Sequence, residues 1–119
     1  MQIREIQLTE LTIAYEIIKQ YMKHLSYNEY EDLIYQMVKE NYKIILLLDE
    51  EKAITYAGIK IETTLSEKRH IHIYELMTDQ NKDKNYYENQ MLSYLVDYAK
   101  INMCNNITCK QDYNKQISR

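Results

Sequence analysis

The chain contains 119 residues, of which 45% are hydrophobic and 28% are charged, a balance typical of a single globular domain over residues 1–119. A formal net charge of −3 at pH 7 argues against a strongly basic surface for nucleic acid or anionic membrane. No apolar run approaches the roughly 18 residues of a membrane span, and the charged first residues do not resemble a signal peptide. We therefore expect a cytoplasmic protein.

The aromatic residues are all tyrosines, 13 in number, with neither phenylalanine nor tryptophan. Tyrosine must then fill core positions, and each buried hydroxyl needs a hydrogen-bond partner or a route to the surface. The two cysteines, Cys104 and Cys109, have no histidine close enough to complete a zinc site. We predict two reduced thiols and no metal.

The first forty residues predict a short alternating strand followed by two helices. Thr9 is placed as the N-cap of a helix over residues 10–24, whose apolar residues recur at helical spacing. Ser26 and Glu29 have the spacing of a capping box, so that a second helix starts there and ends near Glu40.

The middle of the chain predicts an antiparallel hairpin. Residues 43–48 form an apolar run typical of a strand buried on both faces, and residues 53–63 return as a second strand after a charged turn. Gly58, the only glycine, lies inside this second strand. It marks either a β-bulge or close packing, or else it gives a ligand access to the backbone.

The last part predicts a strand over residues 70–77, a loop over 78–85, a helix over 86–100, a strand over 106–110 and a loose tail over 111–119. The element order is β-α-α-β-β-β-α-β, which indicates an α/β fold with a mixed sheet and a right-handed parallel crossover. Simple alternation in the fourth strand predicts two faces. One would carry Ile71, Ile73 and Glu75, and the other His70, His72, Tyr74 and Leu76.

The segment from Glu75 to Lys100 reads ELMTDQNKDKNYYENQMLSYLVDYAK. It resembles the signature of the GNAT family of N-acetyltransferases, of the form ELVVDPxYRGKGxGxxLLxxLxxxAK, and aligns with it without a gap. The upstream elements agree in order as well. The resemblance implies a GNAT-like mixed sheet and, in an active member, acyl-CoA-dependent transfer of acetyl to an amine.

In that family an R/Q-x-x-G-x-G/A loop wraps the pyrophosphate of acetyl-CoA with backbone amides at a helix N-terminus. Asp83 stands here at the Arg position, and Tyr86 and Glu88 stand at the two glycine positions. The inverted charge and the lost glycines predict a closed phosphate site with no bound cofactor, although Lys82 and Lys84 offset part of the repulsion. By family position, the cofactor-binding residues are Leu76, Thr78, Asp83, Lys84, Asn85, Tyr86, Tyr87, Glu88 and Asn114.

Family members also continue past the fifth strand into a helix and two further strands, and that helix often carries a tyrosine that acts as general acid. This chain lacks those elements, and assigning the acid role to Tyr113 would be forced. Their loss is expected to expose the edge of the strand over residues 106–110, which invites pairing with a second copy or with another protein.

Two functions follow as alternatives. One is a degenerate GNAT-fold protein that acts by binding a protein, as a small inhibitor or regulator. The other is an active acetyltransferase, in which His72, by family position, or Glu75 would serve as base; each is equally explained as a packing or surface residue. A tyrosine-rich helix face is either an interface or the core and rim of the helix. It consists of Tyr86, Tyr87, Tyr94 and Tyr98.

Overall fold

The computed structural model describes residues 1–109 and residues 115 and 116, and it contains a mixed sheet between helices. The six strands follow one another in the sheet in chain order: β1 (Gln2–Glu5), β2 (Lys43–Asp49), β3 (Lys52–Thr64), β4 (Lys68–Thr78), β5 (Asn106–Cys109) and β6 (Lys115–Gln116). The helices are α1 (Leu11–Tyr21), α2 (Tyr27–Met37) and α3 (Lys84–Ile101). Only β4 and β5 are parallel. The predicted α/β class and element order are confirmed, with β6 added.

The start of α2 follows from the predicted capping box. The Ser26 hydroxyl accepts a hydrogen bond from the Glu29 amide at 3.2 Å, and the Glu29 carboxylate accepts one from the Ser26 amide at 3.2 Å. Each side chain therefore satisfies an amide that the helix itself leaves without a partner. A short 3-10 turn extends α2 to Glu40, where the helix was predicted to end.

The limits predicted for α1 are wrong at both ends. A 3-10 turn precedes the helix. The amide of Gln7, which caps this turn, donates a hydrogen bond to the Glu10 carboxylate at 2.8 Å, and Thr9 is not the cap. Arg4 donates two hydrogen bonds to Glu10 and, together with the Gln7 amide, lowers the pKa of that carboxyl to about 2. The helix ends at Tyr21 and not at residue 24, because Met22 leaves the helical region with φ −124° and ψ 72°.

The sheet separates two hydrophobic cores, as β2 requires with residues 44–48 buried on both faces. On one face α1 and α2 pack against the sheet; the largest buried side chains there are Leu11, Ile17, Ile34, Leu46 and Tyr56. On the other face α3 packs against the sheet; the buried side chains there include Ile45, Ile59, Ile73, Met91 and Leu95. Among the described residues, no helix is long and apolar enough to cross a membrane.

A β-bulge interrupts β4 at Tyr74. Gly58 of β3 pairs with Glu75, whereas the next residue of β3, Ile59, pairs with Ile73, which leaves Tyr74 as the extra residue. The predicted alternation of β4 holds as far as Tyr74 and is wrong from Glu75 onwards. Tyr74 and Glu75 both contact the α1/α2 core.

The remainder of β4 is shifted by the same bulge. Leu76 lies in the α3 core with Ile71 and Ile73, and not on the face predicted for it. One extra residue is sufficient for this change, because side chains alternate between faces with a period of two.

The C-terminal elements also differ from their predicted limits. Helix α3 begins at Lys84, two residues before the predicted start, because Asp83 acts as its N-cap. The tail is not loose throughout, since residues 115–116 pair antiparallel with Asn106 and Ile107 of β5. The β5 edge predicted to be exposed is thus covered at these two residues. Tyr113 and Asn114 lie outside the described residues.

Candidate functional site

The candidate site lies on β4 after its last described pair with β5. The two strands pair from His70 and Asn106 to Ile73 and Cys109, and β4 continues to Thr78 paired with β3. The bulge at Tyr74 falls directly after the Ile73 pair. Side chains on this stretch of β4 are therefore held by the pairing of β4 with β3.

Glu75 is held in place by Tyr42, whose hydroxyl donates a hydrogen bond to the Glu75 Oε1 atom. Gly58 makes room for this contact: a Cβ atom there would lie 1.9 Å from the Tyr42 hydroxyl oxygen and 2.1 Å from Glu75 Oε1. Gly58 does not have a positive φ, so space and not backbone freedom requires the glycine. Gly58 is therefore a close-packing position, and the bulge lies opposite it in β4.

Behind Glu75, three buried tyrosines form a chain of hydrogen bonds. The hydroxyl of Tyr56 lies 3.0 Å from that of Tyr42 and 3.0 Å from that of Tyr30. Since Tyr42 donates to Glu75, Tyr56 must donate to Tyr42, and Tyr30 to Tyr56. Burial raises the pKa of all three hydroxyls, so that they remain protonated donors. The expected need of buried tyrosines for partners is thus met.

His72 lies on the same face as Glu75, contrary to the alternation predicted from the sequence. Its Nδ1 atom is 2.6 Å from the Thr108 hydroxyl, and its ring contacts the Tyr74 ring edge-on at 4.5 Å between centroids. The Tyr74 hydroxyl donates to Glu62; burial, followed by this carboxylate, raises the pKa of Tyr74 to about 12. The bulge thus places an imidazole and a carboxylate on one face of the sheet, on either side of Tyr74.

The loop that follows β4 uses its amides internally. The Asp79 amide donates to the Ile54 carbonyl at 2.7 Å, and the Gln80 amide to Gln20 Oε1 at 2.8 Å. The next two amides, of Asn81 and Lys82, donate to the Asp79 side chain at 3.0 Å and to its carbonyl at 2.9 Å. Four successive amides therefore have acceptors within the protein.

The N-terminus of α3 is capped by the protein's own carboxylate. Asp83 Oδ1 accepts the Tyr86 amide at 3.2 Å, and the negative charge lies at the positive end of the helix dipole. Lys84 and Asn85 form the exposed first turn with Tyr86, whose ring contacts Tyr87 edge-on at 5.0 Å. The residue aligned with the family arginine is thus the helix cap.

Glu88 adds a second carboxylate to this end of α3. Its side chain is buried, with 9% of the residue exposed, and Oε2 has no hydrogen-bond partner among the described residues. Burial raises the pKa of this carboxyl, and the charge of Lys84 opposes the shift. Two carboxylates, one of which already accepts the Tyr86 amide, do not fit a pyrophosphate group, which needs free amides and positive charge.

Helix α1 contributes contacts that sequence reasoning missed. The Tyr21 hydroxyl donates to the Thr78 carbonyl at 2.5 Å, next to the bond between Gln20 and the Gln80 amide. The Asp79 amide of the same peptide points towards β3, so the Thr78 carbonyl points away from β3. No local signal in the sequence predicts a contact between residues that lie 57 positions apart.

The other residues placed by family position have structural partners. Leu76 is buried in the α3 core, and the buried Thr78 hydroxyl lies 2.9 Å from that of Thr55. Tyr87 is half-buried against the α3 core, as are Tyr94 and Tyr98. The tyrosine-rich face of α3 is therefore largely the rim of its core, with Tyr86 exposed.

A cavity of about 750 Å³ adjoins the same loop, between α1 and the turn that joins β2 to β3. Carboxylates outnumber lysines in its lining. The carboxylates are Glu16, Asp49, Glu50, Glu51 and Asp79, and the lysines are Lys52 and Lys82. The charge around the loop is thus unfavourable for an anion on this side as well.

No protein-family model matches the chain, and neither does any curated protein. Solved structures do match. A GNAT family acetyltransferase of Staphylococcus aureus is 16% identical, with a TM-score of 0.77 over 99% of this chain and 94% of that one. Glucosamine-6-phosphate N-acetyltransferase of Arabidopsis thaliana is 15% identical, with a TM-score of 0.71 over 92% of this chain and 80% of that one.

An aminoglycoside N-acetyltransferase solved in complex with CoA is 10% identical, with a TM-score of 0.77 over 93% of this chain and 76% of that one. Identities this low establish the fold alone. The predicted GNAT-like fold is confirmed.

Proposed function

We propose that this GNAT-fold chain works without acyl-CoA and acts by binding another protein, as a small inhibitor or regulator. The observation that carries the proposal is the Asp83 carboxylate, which stands at the family arginine position, caps α3 and accepts the Tyr86 amide, close in sequence to the buried Glu88 carboxylate. A polyphosphate at this helix end would have to displace the Asp83 cap and approach both carboxylates. Both costs oppose binding.

Support for a protein partner comes from α1 and α2. Two tyrosines and two aliphatic residues are at least 39% exposed there: Tyr21, Met22, Leu33 and Tyr35. Tyrosine and methionine are enriched at protein–protein interfaces because they supply large contact area with a polar or adaptable tip. A second copy of the chain or a different protein would bury these exposed side chains.

The proposal is tested by titrating the protein with acetyl-CoA in a calorimeter and by measuring its melting temperature at the same ligand concentrations. We expect no saturable heat at micromolar ligand and no shift in melting temperature at millimolar ligand. Saturable binding at micromolar acetyl-CoA would refute the proposal.

A second function, N-acetyl transfer to an amine, is favoured by one observation. The Tyr42 hydroxyl fixes the Glu75 carboxylate on the face of β4 that carries His72. A fixed carboxylate or imidazole there is suited to accept a proton from an amine. Acetyl transfer to an amine that is lost in Glu75→Gln, with the melting temperature unchanged, would favour this function over the first.

A further inference from the structure

Three large hydrophobic side chains project into solvent near the end of α3 that is opposite the Asp83 cap. Leu65, in the turn between β3 and β4, is fully exposed, and Ile101 and Met103 are 81% and 76% exposed. No other large hydrophobic residue of the described chain is as exposed. Helix α3 is 18 residues long, so this end lies about 27 Å from the cap. Exposed hydrophobic residues gathered in one place mark an interaction surface.

Hydrogen bonds hold the turn between β3 and β4 beside the end of α3. The Arg69 Nε atom donates to the Asn102 carbonyl at 2.8 Å, and the Asn105 amide donates to the Arg69 carbonyl at 2.7 Å. The Asn106 side chain donates to the Glu67 carboxylate in the turn. The exposed residues of the two segments therefore form one surface that exists before any partner binds.

This surface is positively charged, although the chain as a whole has a formal net charge of −3. Lys68, Arg69 and Lys100 are exposed, and none of them makes an ion pair with a described residue. The one carboxylate of residues 64–69 and 100–105, that of Glu67, already accepts a hydrogen bond. We define the basal patch as these three cations and the three hydrophobic residues: Leu65, Lys68, Arg69, Lys100, Ile101 and Met103.

Met103 occupies a position where glycine would make the fold more stable. The Cys104 amide donates to the Ala99 carbonyl at 2.8 Å, and the Met103 amide to the Lys100 carbonyl at 3.2 Å. In this helix ending, glycine is preferred where Met103 stands, because the residue adopts a left-handed conformation, here with φ 59°. A strained backbone and an exposed apolar side chain both cost stability, and a binding role explains why the chain keeps them.

We propose that the basal patch is a docking surface for an acidic, amphipathic segment of a partner protein. The inference rests on the proposed function, because it assigns to the partner a surface beyond α1 and α2. Carboxylates of the segment would pair with the three cations, and its apolar side chains would cover those of the patch. Attachment to an anionic membrane usually needs about four to eight clustered cations, and the net negative charge of the chain opposes it. Both facts favour a protein partner.

The first test maps where an acidic helix binds the unmodified protein. The probe is a synthetic peptide of about 15 residues with one face of leucines flanked by glutamates. We expect it to shift the backbone amide resonances of residues 65–69 and 100–105 in the labelled protein, and a peptide with lysines in place of the glutamates to shift none. No shifts at millimolar peptide, or binding to phosphatidylserine vesicles instead of the peptide, would overturn the proposal.

The same map separates this proposal from the proposed function. Shifts confined to α1 and α2 would overturn the proposal for the basal patch and would leave the proposed function standing. Micromolar binding of acetyl-CoA would refute the proposed function, whereas the basal patch is judged by the peptide alone.

The second test uses matched variants. Lys100→Gln/Ile101→Gln removes one cation and one apolar side chain from the patch, and we expect it to weaken peptide binding about tenfold. The control, Leu33→Gln/Lys39→Gln, makes the same kinds of change at exposed positions of α2 and the turn after it, and should bind as the unmodified protein does. Equal affinity in the patch variant, or an equal loss in both variants, would overturn the proposal.

The third test separates binding from stability at one residue. We expect Met103→Gly to raise the melting temperature by about 3–6 °C, because it relieves the strain, and to weaken peptide binding by about threefold. A loss of affinity in a more stable protein cannot come from unfolding. Unchanged affinity for the peptide, whatever the stability of the variant, would overturn the proposal.

Discussion

Gly58 shows how one missing side chain shapes the candidate site. The space above its Cα is filled by the Tyr42 hydroxyl and a Glu75 oxygen, which meet there. The contact in turn orients the chain of buried tyrosines that ends at Tyr30. The position of the Glu75 carboxylate therefore depends on a residue that has no side chain.

We predict that Gly58→Ala destabilises the protein by about 1–3 kcal/mol, the usual cost of forcing extra atoms into a packed site. Urea unfolding measures the change. The effect should be less than additive with Tyr42→Phe, because both substitutions disrupt the same contact. Full additivity would show that the added methyl group is accommodated elsewhere.

Glu88 makes the stability depend on pH through its burial. Its pKa is higher in the folded than in the unfolded chain, so the native state favours the protonated carboxyl. This contribution to the free energy of unfolding is fully present below the unfolded pKa and is lost as the pH rises through the folded pKa. In the deprotonated form, the buried Oε2 atom has no hydrogen-bond partner among the described residues.

We therefore predict that Glu88→Gln raises the free energy of unfolding at pH 7 by about 1 kcal/mol and flattens its decline with rising pH. Denaturant unfolding across pH 4–8 measures both effects. Asp97→Asn, on the exposed side of α3, is the matched control and should change neither. If the free energy of unfolding of Glu88→Gln falls with rising pH as steeply as that of the unmodified protein, groups other than Glu88 cause the pH dependence.

At the scale of the elements, the turn between β2 and β3 is strained. Glu50 and Glu51 have φ values of 51° and 66°, a left-handed conformation that two-residue hairpin turns require and that Asn-Gly adopts best. Two glutamates also add negative charge to the lining of the adjacent cavity. Conformation and charge both disfavour these residues here.

We predict that Glu50→Asn/Glu51→Gly stabilises the protein by about 1–2 kcal/mol. Thermal and urea unfolding measure the gain. Glu50→Gln/Glu51→Gln removes the same charge and keeps the side chains at positive φ, so its gain should be smaller. Equal gains in the two variants would show that charge, and not conformation, is the cause.

The limits of the elements separate what local chemistry determines from what distant contacts determine. The start of α2 is predictable because Ser26 and Glu29 satisfy each other's amides within one turn. The end of α1 is not, because Tyr21 bonds to the end of β4 across a separation that no local pattern records. The bulge at Tyr74 also escapes prediction, since it depends on pairing with β3.

At the scale of the whole molecule, the fold is predictable and the chemistry of the site only in part. The apolar run of β2 and the apolar positions of α3 need a sheet covered on both faces, which the GNAT-like order supplies. Asp83 and Glu88 indicate a changed phosphate site from the sequence alone, because they replace an arginine and a glycine of the family pattern. The hydrogen bond from Tyr21 to Thr78 and the shared face of His72 and Glu75 appear only once the sheet is assembled.

The edge of the sheet formed by β1 determines whether copies of the chain can join there. β1 is four residues long, and its charged side chains make ion pairs, Arg4 with Glu10 and Glu5 with Lys43. Short, charged edge strands resist pairing with another chain. We infer that β1 is protected against strand addition and that a partner protein binds elsewhere.

We predict that Gln2→Val/Glu5→Val promotes self-association, because β-branched residues at an unprotected edge favour strand pairing. Light scattering after size exclusion should give a mass that rises with protein concentration in this variant. Asn89→Val/Asp97→Val adds similar apolar surface on the exposed side of α3 and should behave as the unmodified protein does. If both variants associate equally, added hydrophobicity and not the strand edge is responsible, and the protective role of the β1 charges would be refuted.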